Sequence, residues 1–374
     1  MSSDTWCSRS WSDINIDFSN NTVRHCCKAE SEPIINSYNN NPKILQRRKD
    51  SLLNIRDNQC NYCWKEYDEY GSAFRDYWNE WKTLEDFNDD WEYLQIKFDN
   101  ICNLSCIYCN EYDSSRIAYE KNIKIENYYN DSNKTKFYNW IEDQNFNDKL
   151  ISILGGEPTI SHNVIDFINF LSDKKHDNNL FLNINTNGFT QGKLRDKFFK
   201  LIESLPKNWK FTIVISNEST KSAPLIRYGL NNKLFWENFK LYVKSPNVTH
   251  IGLNPCLSKY SIRELSDYLE LACKLISEYK KPFWIHGNSV ENPKELCISS
   301  LPKEYVKYIN NTRSVILSYN YLFKDNNIKQ INNWLNACID KIVNGEENYD
   351  SNKFLNELFK QKKDKNIFKL KMIS

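Results

Sequence analysis

Ile101-Cys102-Asn103-Leu104-Ser105-Cys106-Ile107-Tyr108-Cys109 carries three cysteines spaced C-x3-C-x2-C. That spacing lets one short loop wrap three thiolates around three irons of a [4Fe-4S] cube. The fourth iron then has no local ligand. Electron-transfer clusters are held by four cysteines, so a triple points to an iron kept open for a substrate or cofactor. A structural zinc site would want four closed ligands.

The sequence on either side is organised around this loop. Residues 91–98 read as a strand leading into it. Ile151-Ser152-Ile153-Leu154-Gly155-Gly156-Glu157-Pro158 reads as a second strand with a glycine-rich turn. Phe181 to Gly188, ending Asn185-Thr186-Asn187-Gly188, reads as a third. With the cysteine triple, these GGEP and TNG turns resemble the radical S-adenosylmethionine (SAM) superfamily in order and spacing, over roughly residues 91–300. A zinc site would explain none of the later turns.

Composition sets bounds. A chain of 374 residues accommodates one large α/β domain and a smaller unit. The net charge of +2 gives no support for a nucleic-acid or anionic-membrane surface. No apolar run approaches the length of a membrane span, and the start Met1-Ser2-Ser3-Asp4-Thr5-Trp6 has no signal-peptide pattern. Twelve cysteines without an export signal argue for metal ligands in a reducing cytoplasm rather than a disulfide scaffold.

Five of those cysteines, Cys7, Cys26, Cys27, Cys60 and Cys63, lie near the N-terminus. Ser12 to Phe18 alternates, with Ile14, Ile16 and Phe18 on one face and Asp13, Asn15 and Asp17 on the other. Ser19-Asn20-Asn21 is a turn, and Thr22 to His25 returns as the second strand of a hairpin. The hairpin brings Cys7 close to Cys26 or Cys27, and a helix over Lys43 to Ile55 delivers Cys60 and Cys63. This segment resembles a twitch domain, the short auxiliary-cluster module of some radical SAM enzymes. Trp11, Glu66, Gly71 and Arg75 match that pattern, whereas Ser10 and Asn20-Asn21 depart from it. The resemblance implies a second [4Fe-4S] cluster on Cys7, Cys26, Cys60 and Cys63. Spacing alone fits a tetrathiolate zinc site equally well. Neighbouring strand residues face opposite ways, so only one of Cys26 and Cys27 ligates, and Cys26 is favoured.

Strands fall near 91–98, 149–154, 180–185, 209–216, 249–255 and 282–286. Helices fall near 132–145, 162–174, 192–204, 232–245 and 262–280. Alternating β and α over this length implies a parallel sheet, with ligands at the carboxyl ends of its strands. The expected fold is α/β: a partial (β/α)6 TIM-like barrel of the radical SAM type over 91–300. A small α+β iron–sulfur module over 1–75 and a linker over 76–90, rich in Trp and acids, precede it. A helical extension over 301–374 follows. The polar stretches Tyr128 to Lys136 and Asn344 to Lys353 read as loops.

The resemblance implies reductive cleavage of SAM to methionine and a 5′-deoxyadenosyl radical, which abstracts a substrate hydrogen. It places Cys102, Cys106 and Cys109 on the cluster and Tyr108 against adenine. Gly155, Gly156 and Glu157 would receive the methionyl ammonium, Ser216 or Asn217 the ribose, and Arg227 the carboxylate. Leu253 and Asn254 would give backbone contacts to adenine. It also implies an electron donor such as flavodoxin or ferredoxin.

Alternation predicts the substrate face. Leu94, Ile96 and Phe98 oppose Tyr93, Gln95 and Lys97; Leu180, Leu182 and Ile184 oppose Phe181, Asn183 and Asn185. Helices cover the aliphatic side. Gln95, Lys97, Asn183, Asn185, Asn254 and His286 are therefore expected to line the lumen, in contact with a polar substrate. By analogy the expected substrate is a peptide or protein side chain; the alternative is a polar small molecule such as a sugar or nucleoside derivative. A non-catalytic metal-binding adaptor is a third reading, against which the intact motif and Arg227 argue.

Overall fold

The computed structural model describes residues 4–34, 38–71, 73–79, 90–345 and 351–361. The protein is mixed α/β and forms two compact units. The first comprises Met1–Asp99, Glu126–Gly155 and Asp173–Leu182, and the second Asn100–Ile125, Gly156–Ser172 and Asn183–Ser374.

In the first unit β1 (Asp13–Asp17) turns back antiparallel on β2 (Thr22–Arg24), and β3 (Glu32–Pro33) follows on the far side of β2. The hairpin is the expected one. Asn21 adopts a left-handed φ of 53° in its turn, a conformation that Asn tolerates better than most residues. The other edge of β1 pairs in parallel with β4 (Tyr93–Lys97), in the register Ile14↔Leu94 and Ile16↔Ile96. β4 in turn pairs in parallel with β5 (Lys149–Leu154). The N-terminal strand therefore extends the sheet of the first core strand. Being internal, β1 is covered on both faces, and even Asp13 and Asn15 are buried. Asp13 is held by an ion pair with Arg9, as a buried charge requires. Phe18, Tyr38, Phe98, Tyr129, Phe137 and Trp140 form an aromatic cluster of tilted, stacked and edge-on rings.

β6 (Leu180–Thr186) begins in the first unit and ends in the second. In the second unit β7 (Lys210–Ile215), β8 (Val248–Leu253) and β9 (Phe283–Ile285) run parallel, with Ile213↔Ile251↔Phe283 in register. The burial of β4 and β6 alternates as the sequence requires: every aliphatic position is closed and every intervening one half-open. Helices Gly192–Ser204, Asn232–Lys244 and Leu265–Glu278 fall where apolar periodicity put them. The C-terminal region is helical over Val306–Ser318, Asp325–Val343 and Ser351–Gln361.

The stretch Tyr128–Lys136 differs from expectation. Its second half opens helix Asp131–Glu142, because the Asn130 side chain caps the Asn133 amide at 3.0 Å. Similarly, helix Ser351–Gln361 starts inside the second stretch expected as loop. Most of the linker, including Trp81, Glu85, Asp86 and Asp89, lies outside the described residues. Among the described residues no helix is long and apolar enough to cross a membrane.

Candidate functional site

The cysteine loop leaves the carboxyl end of β4 and is held from three sides within the second unit. Helix Ser115–Glu120, which periodicity did not reveal, turns its N-terminus onto the loop. The Ser115 amide donates to the Asn100 carbonyl at 2.7 Å, and the Cys102 amide to Ser115 Oγ at 3.1 Å. Ser105 and Cys106 pair antiparallel with Tyr228 and Arg227. The Asn103 side chain donates to the Phe189 carbonyl and accepts from Asn187 Nδ2 at 2.9 Å, tying the loop to the TNG turn. Cys102, Cys106 and Cys109 are each half-buried. The Leu104 amide approaches Cys102 Sγ at 3.5 Å. Burial pushes the Cys109 thiol up to about 12 and the Cys102 thiol higher.

Gly156 abuts the start of the loop. A Cβ there would stand 2.3 Å from the Ile101 carbonyl oxygen, and the Glu157 amide donates to that same oxygen at 2.6 Å. The close approach that demands glycine is thus made by the protein's own backbone. Gly155, at φ 143°, lies in a region open mainly to glycine. Glu157 is buried, and its carboxylate accepts from the Thr159 amide (3.1 Å), Thr159 Oγ1 (2.6 Å), Thr186 Oγ1 (2.7 Å) and the Asn187 amide (2.6 Å). Three of these bonds fall on Oε1 and one on Oε2. Burial pushes the carboxyl up, against the pull of those donors. Glu157 therefore locks the GGE turn to the TNG turn, whatever else it binds.

Arg227 lies beside Cys106 in the two-residue bridge, and its guanidinium is engaged. Nη2 and Nε donate to Glu218 Oε2 at 2.7 and 3.3 Å. Tyr108 donates its hydroxyl to Glu218 Oε1 at 2.9 Å, and its ring lies under the guanidinium at 5.6 Å. Glu218 and Arg227 are buried, and Tyr108 is half-buried. Burial keeps the Tyr108 phenol protonated, well above its usual range. The Arg227–Glu218 pair is therefore a structural device in its own right. Arg227→Ala strands a buried carboxylate, so it should cost about 3–5 kcal/mol of stability. Thermal unfolding checks this; an unchanged midpoint would show that the pair carries no stability.

Ser216 closes β7, its amide on the Thr186 carbonyl at 2.8 Å. Asn217 is buried within its own turn, donating to the Ser219 carbonyl at 3.1 Å. Leu253 accepts from the His286 amide, and Asn254 donates its amide to the Ile215 carbonyl, each at 2.9 Å. The Asn254 side chain accepts from Asn288 at 2.8 Å. Of the expected substrate residues, Gln95 accepts from the Tyr93 hydroxyl at 3.1 Å, and Lys97 pairs with Asp17 at 3.4 Å, both in the first unit. Asn183 and Asn185 are half-buried on β6, and His286 is exposed just past β9.

Four of the N-terminal cysteines line a small pocket in the first unit. Cys7, Cys26, Cys60 and Cys63 line it together with His25, Arg47 and Arg75; Cys27 does not. The Lys28 amide approaches Cys26 Sγ at 3.5 Å. Burial pushes Cys60 up to about 12 and Cys63 to about 11. Arg75 is buried, stacks on Trp64 at 4.3 Å, and leaves Nη1 without a hydrogen-bond acceptor. Among the described residues no group of His, Cys, Asp and Glu is gathered around a single ion position. All twelve cysteines are free thiols. Sequence reasoning missed His25 and Arg47; the signal available was the position of His25 next to a candidate ligand.

Residues 96–253 match the family model described as the radical SAM superfamily. No curated protein matches the chain. A solved structure, that of Streptococcus suis SuiB bound to precursor peptide SuiA, is similar at 15% identity and a TM-score of 0.38, over 79% of this chain and 59% of that one. The matched span contains the cysteine triple, the GGE and TNG turns and Arg227, and over residues 96–253 the chain is similar to the radical SAM superfamily.

Proposed function

We propose that the protein is a radical SAM enzyme with two [4Fe-4S] clusters, one open for SAM and one auxiliary. Cys102, Cys106 and Cys109 hold the first. The observation that carries this is the bracing of a three-thiol loop by the GGE turn, the TNG turn and the Arg227 bridge. When bound, cluster and SAM supply a 5′-deoxyadenosyl radical able to abstract a hydrogen.

The chain's own residues do the holding. Gly155, Gly156 and Glu157 receive the methionyl ammonium, with Oε2 of Glu157, which carries a single bond from the chain, as the acceptor. Arg227, kept in place by Glu218, faces the carboxylate, where a guanidinium offers paired donors. Tyr108, Ser216, Asn217, Leu253 and Asn254 border adenine and ribose. Gln95, Lys97, Asn183, Asn185 and His286 are the proposed substrate contacts. By analogy with relatives that carry an auxiliary cluster, the substrate is a peptide or protein side chain; a polar small molecule is the alternative. A flavodoxin or ferredoxin supplies electrons in the cytoplasm.

Cys7, Cys26, Cys60 and Cys63 hold the auxiliary cluster. Cys26 is preferred to Cys27 because it faces the cavity. The orphaned Arg75 Nη1 and the Lys28 amide suit an anionic, sulfur-rich group, which accepts N–H donors on its sulfurs. Anaerobic reconstitution tests the pair of sites. Wild type should hold about eight irons, four per cube, and Cys60→Ala/Cys63→Ala about four. Zinc in place of iron at the N-terminal site, in protein reconstituted with both metals present, would contradict the assignment.

A further inference from the structure

His25 is buried beside the four-thiol cavity and belongs to neither ligand set. Its Nδ1 lies 3.1 Å from Nη1 of Arg47. Its Nε2 lies 3.8 Å from Sγ of Cys60. A guanidinium has donors only, so Nδ1 must be the acceptor, and the imidazole proton sits on Nε2, aimed at sulfur. Arg47 is itself fixed. Its Nη2 donates to Glu32 Oε1 at 2.5 Å, its Nε lies 3.6 Å from Asp57, and Lys43 holds the other Glu32 oxygen at 2.9 Å. The ring therefore has no freedom to turn its proton away.

We propose that His25 sets the reduction potential of the auxiliary cluster by donating an Nε2–H···S hydrogen bond to the Cys60 thiolate, with Arg47 as the group that fixes the tautomer. This rests on the four-thiol site proposed above. Reduction adds negative charge to the cluster and its thiolates, and an N–H donor stabilises that charge. The bond makes the cluster easier to reduce. His25 is a positioning residue and not a ligand.

The experiment uses the full-length chain with Cys102, Cys106 and Cys109 replaced by Ala, so that only the auxiliary cluster remains. Iron content is measured first. If this parent holds no iron, the four-thiol reading fails, and it does so before His25 is touched. Given about four irons, spectroelectrochemistry compares parent, His25→Phe and His25→Gln. Glutamine presents an acceptor and a donor at a spacing close to that of the two ring nitrogens. The expected result is a more negative midpoint potential in His25→Phe with iron retained, and a potential near the parent's in His25→Gln. Equal potentials in all three, or an equal fall in both variants, would overturn the proposal. A readout independent of substitution is pulsed electron paramagnetic resonance of the reduced parent labelled with 15N-histidine. A weak nitrogen coupling with an exchangeable proton is expected. No coupling, or the strong coupling of a directly ligated nitrogen, would overturn it.

Discussion

Replacing Cys102, Cys106 and Cys109 together with Ala should abolish SAM cleavage while leaving about four irons per chain. The two effects separate because the two thiol sets lie in different compact units. Of the N-terminal set, Cys7 lies just before helix Arg9–Ser12, Cys26 in the bend after β2 rather than on the strand, Cys60 in the 3-10 turn Asn58–Cys60 and Cys63 in helix Asn61–Tyr70. The SAM-side set hangs on one loop braced by helix Ser115–Glu120 and the Arg227–Tyr228 bridge. Alanine costs that loop two long thiol contacts, the Leu104 amide on Cys102 Sγ at 3.5 Å and Cys109 Sγ on the Asn110 carbonyl at 3.8 Å. Production of 5′-deoxyadenosine in reduced protein should fall to background. If the triple variant retained cleavage, the open-iron assignment would be lost. If it retained no iron, the N-terminal site would be lost.

The second large effect is expected at Glu157. Glutamine at this position turns one acceptor oxygen into an NH2 group. Whichever way the amide is oriented, an N–H then faces either the Asn187 amide or the donors gathered by Thr159 and Thr186. A hydrogen bond to a charged group contributes about 1.5–3 kcal/mol, and a buried donor left unpaired adds its desolvation cost. Glu157→Gln should therefore destabilise by about 3 kcal/mol or more. It should also weaken SAM binding, because the GGE and TNG turns lose their common anchor. Denaturant unfolding with calorimetric SAM titration measures both. Unchanged stability with weakened binding would mean that Glu157 acts on the ligand alone; no change in either would remove it from the site.

The core was legible where local periodicity carried it. β4 and β6 are half-buried strands whose aliphatic positions alternate, so their faces could be assigned from Leu94, Ile96, Leu182 and Ile184 alone. The turns were legible because Gly156 and the Thr186-Asn187-Gly188 turn serve backbone requirements that few residues meet. The parallel pairing of β1 with β4 was not legible. It joins residues some eighty positions apart, and no local pattern specifies a non-local partner. The burial of Asp13 and Asn15 follows from that pairing, so the polar side of β1 could not be recognised as interior. Helix Ser115–Glu120 was missed because it is six residues long and its signal is a single capping serine, Ser114. The Glu218–Arg227–Tyr108 arrangement was half legible. Tyr108 and Arg227 were singled out, but the Glu218 carboxylate that joins them was not, because these bonds depend on a chain reversal between β7 and the Arg227 bridge. His25 was overlooked for a similar reason, since its partners Arg47 and Cys60 come from separate elements.

The most direct measurement is the product of SAM in reconstituted wild-type protein under anaerobic, reducing conditions. The account predicts 5′-deoxyadenosine and methionine in equal amounts, formed slowly without substrate and absent from the Cys102→Ala/Cys106→Ala/Cys109→Ala variant. Intact SAM after prolonged incubation of protein that holds about eight irons would contradict it.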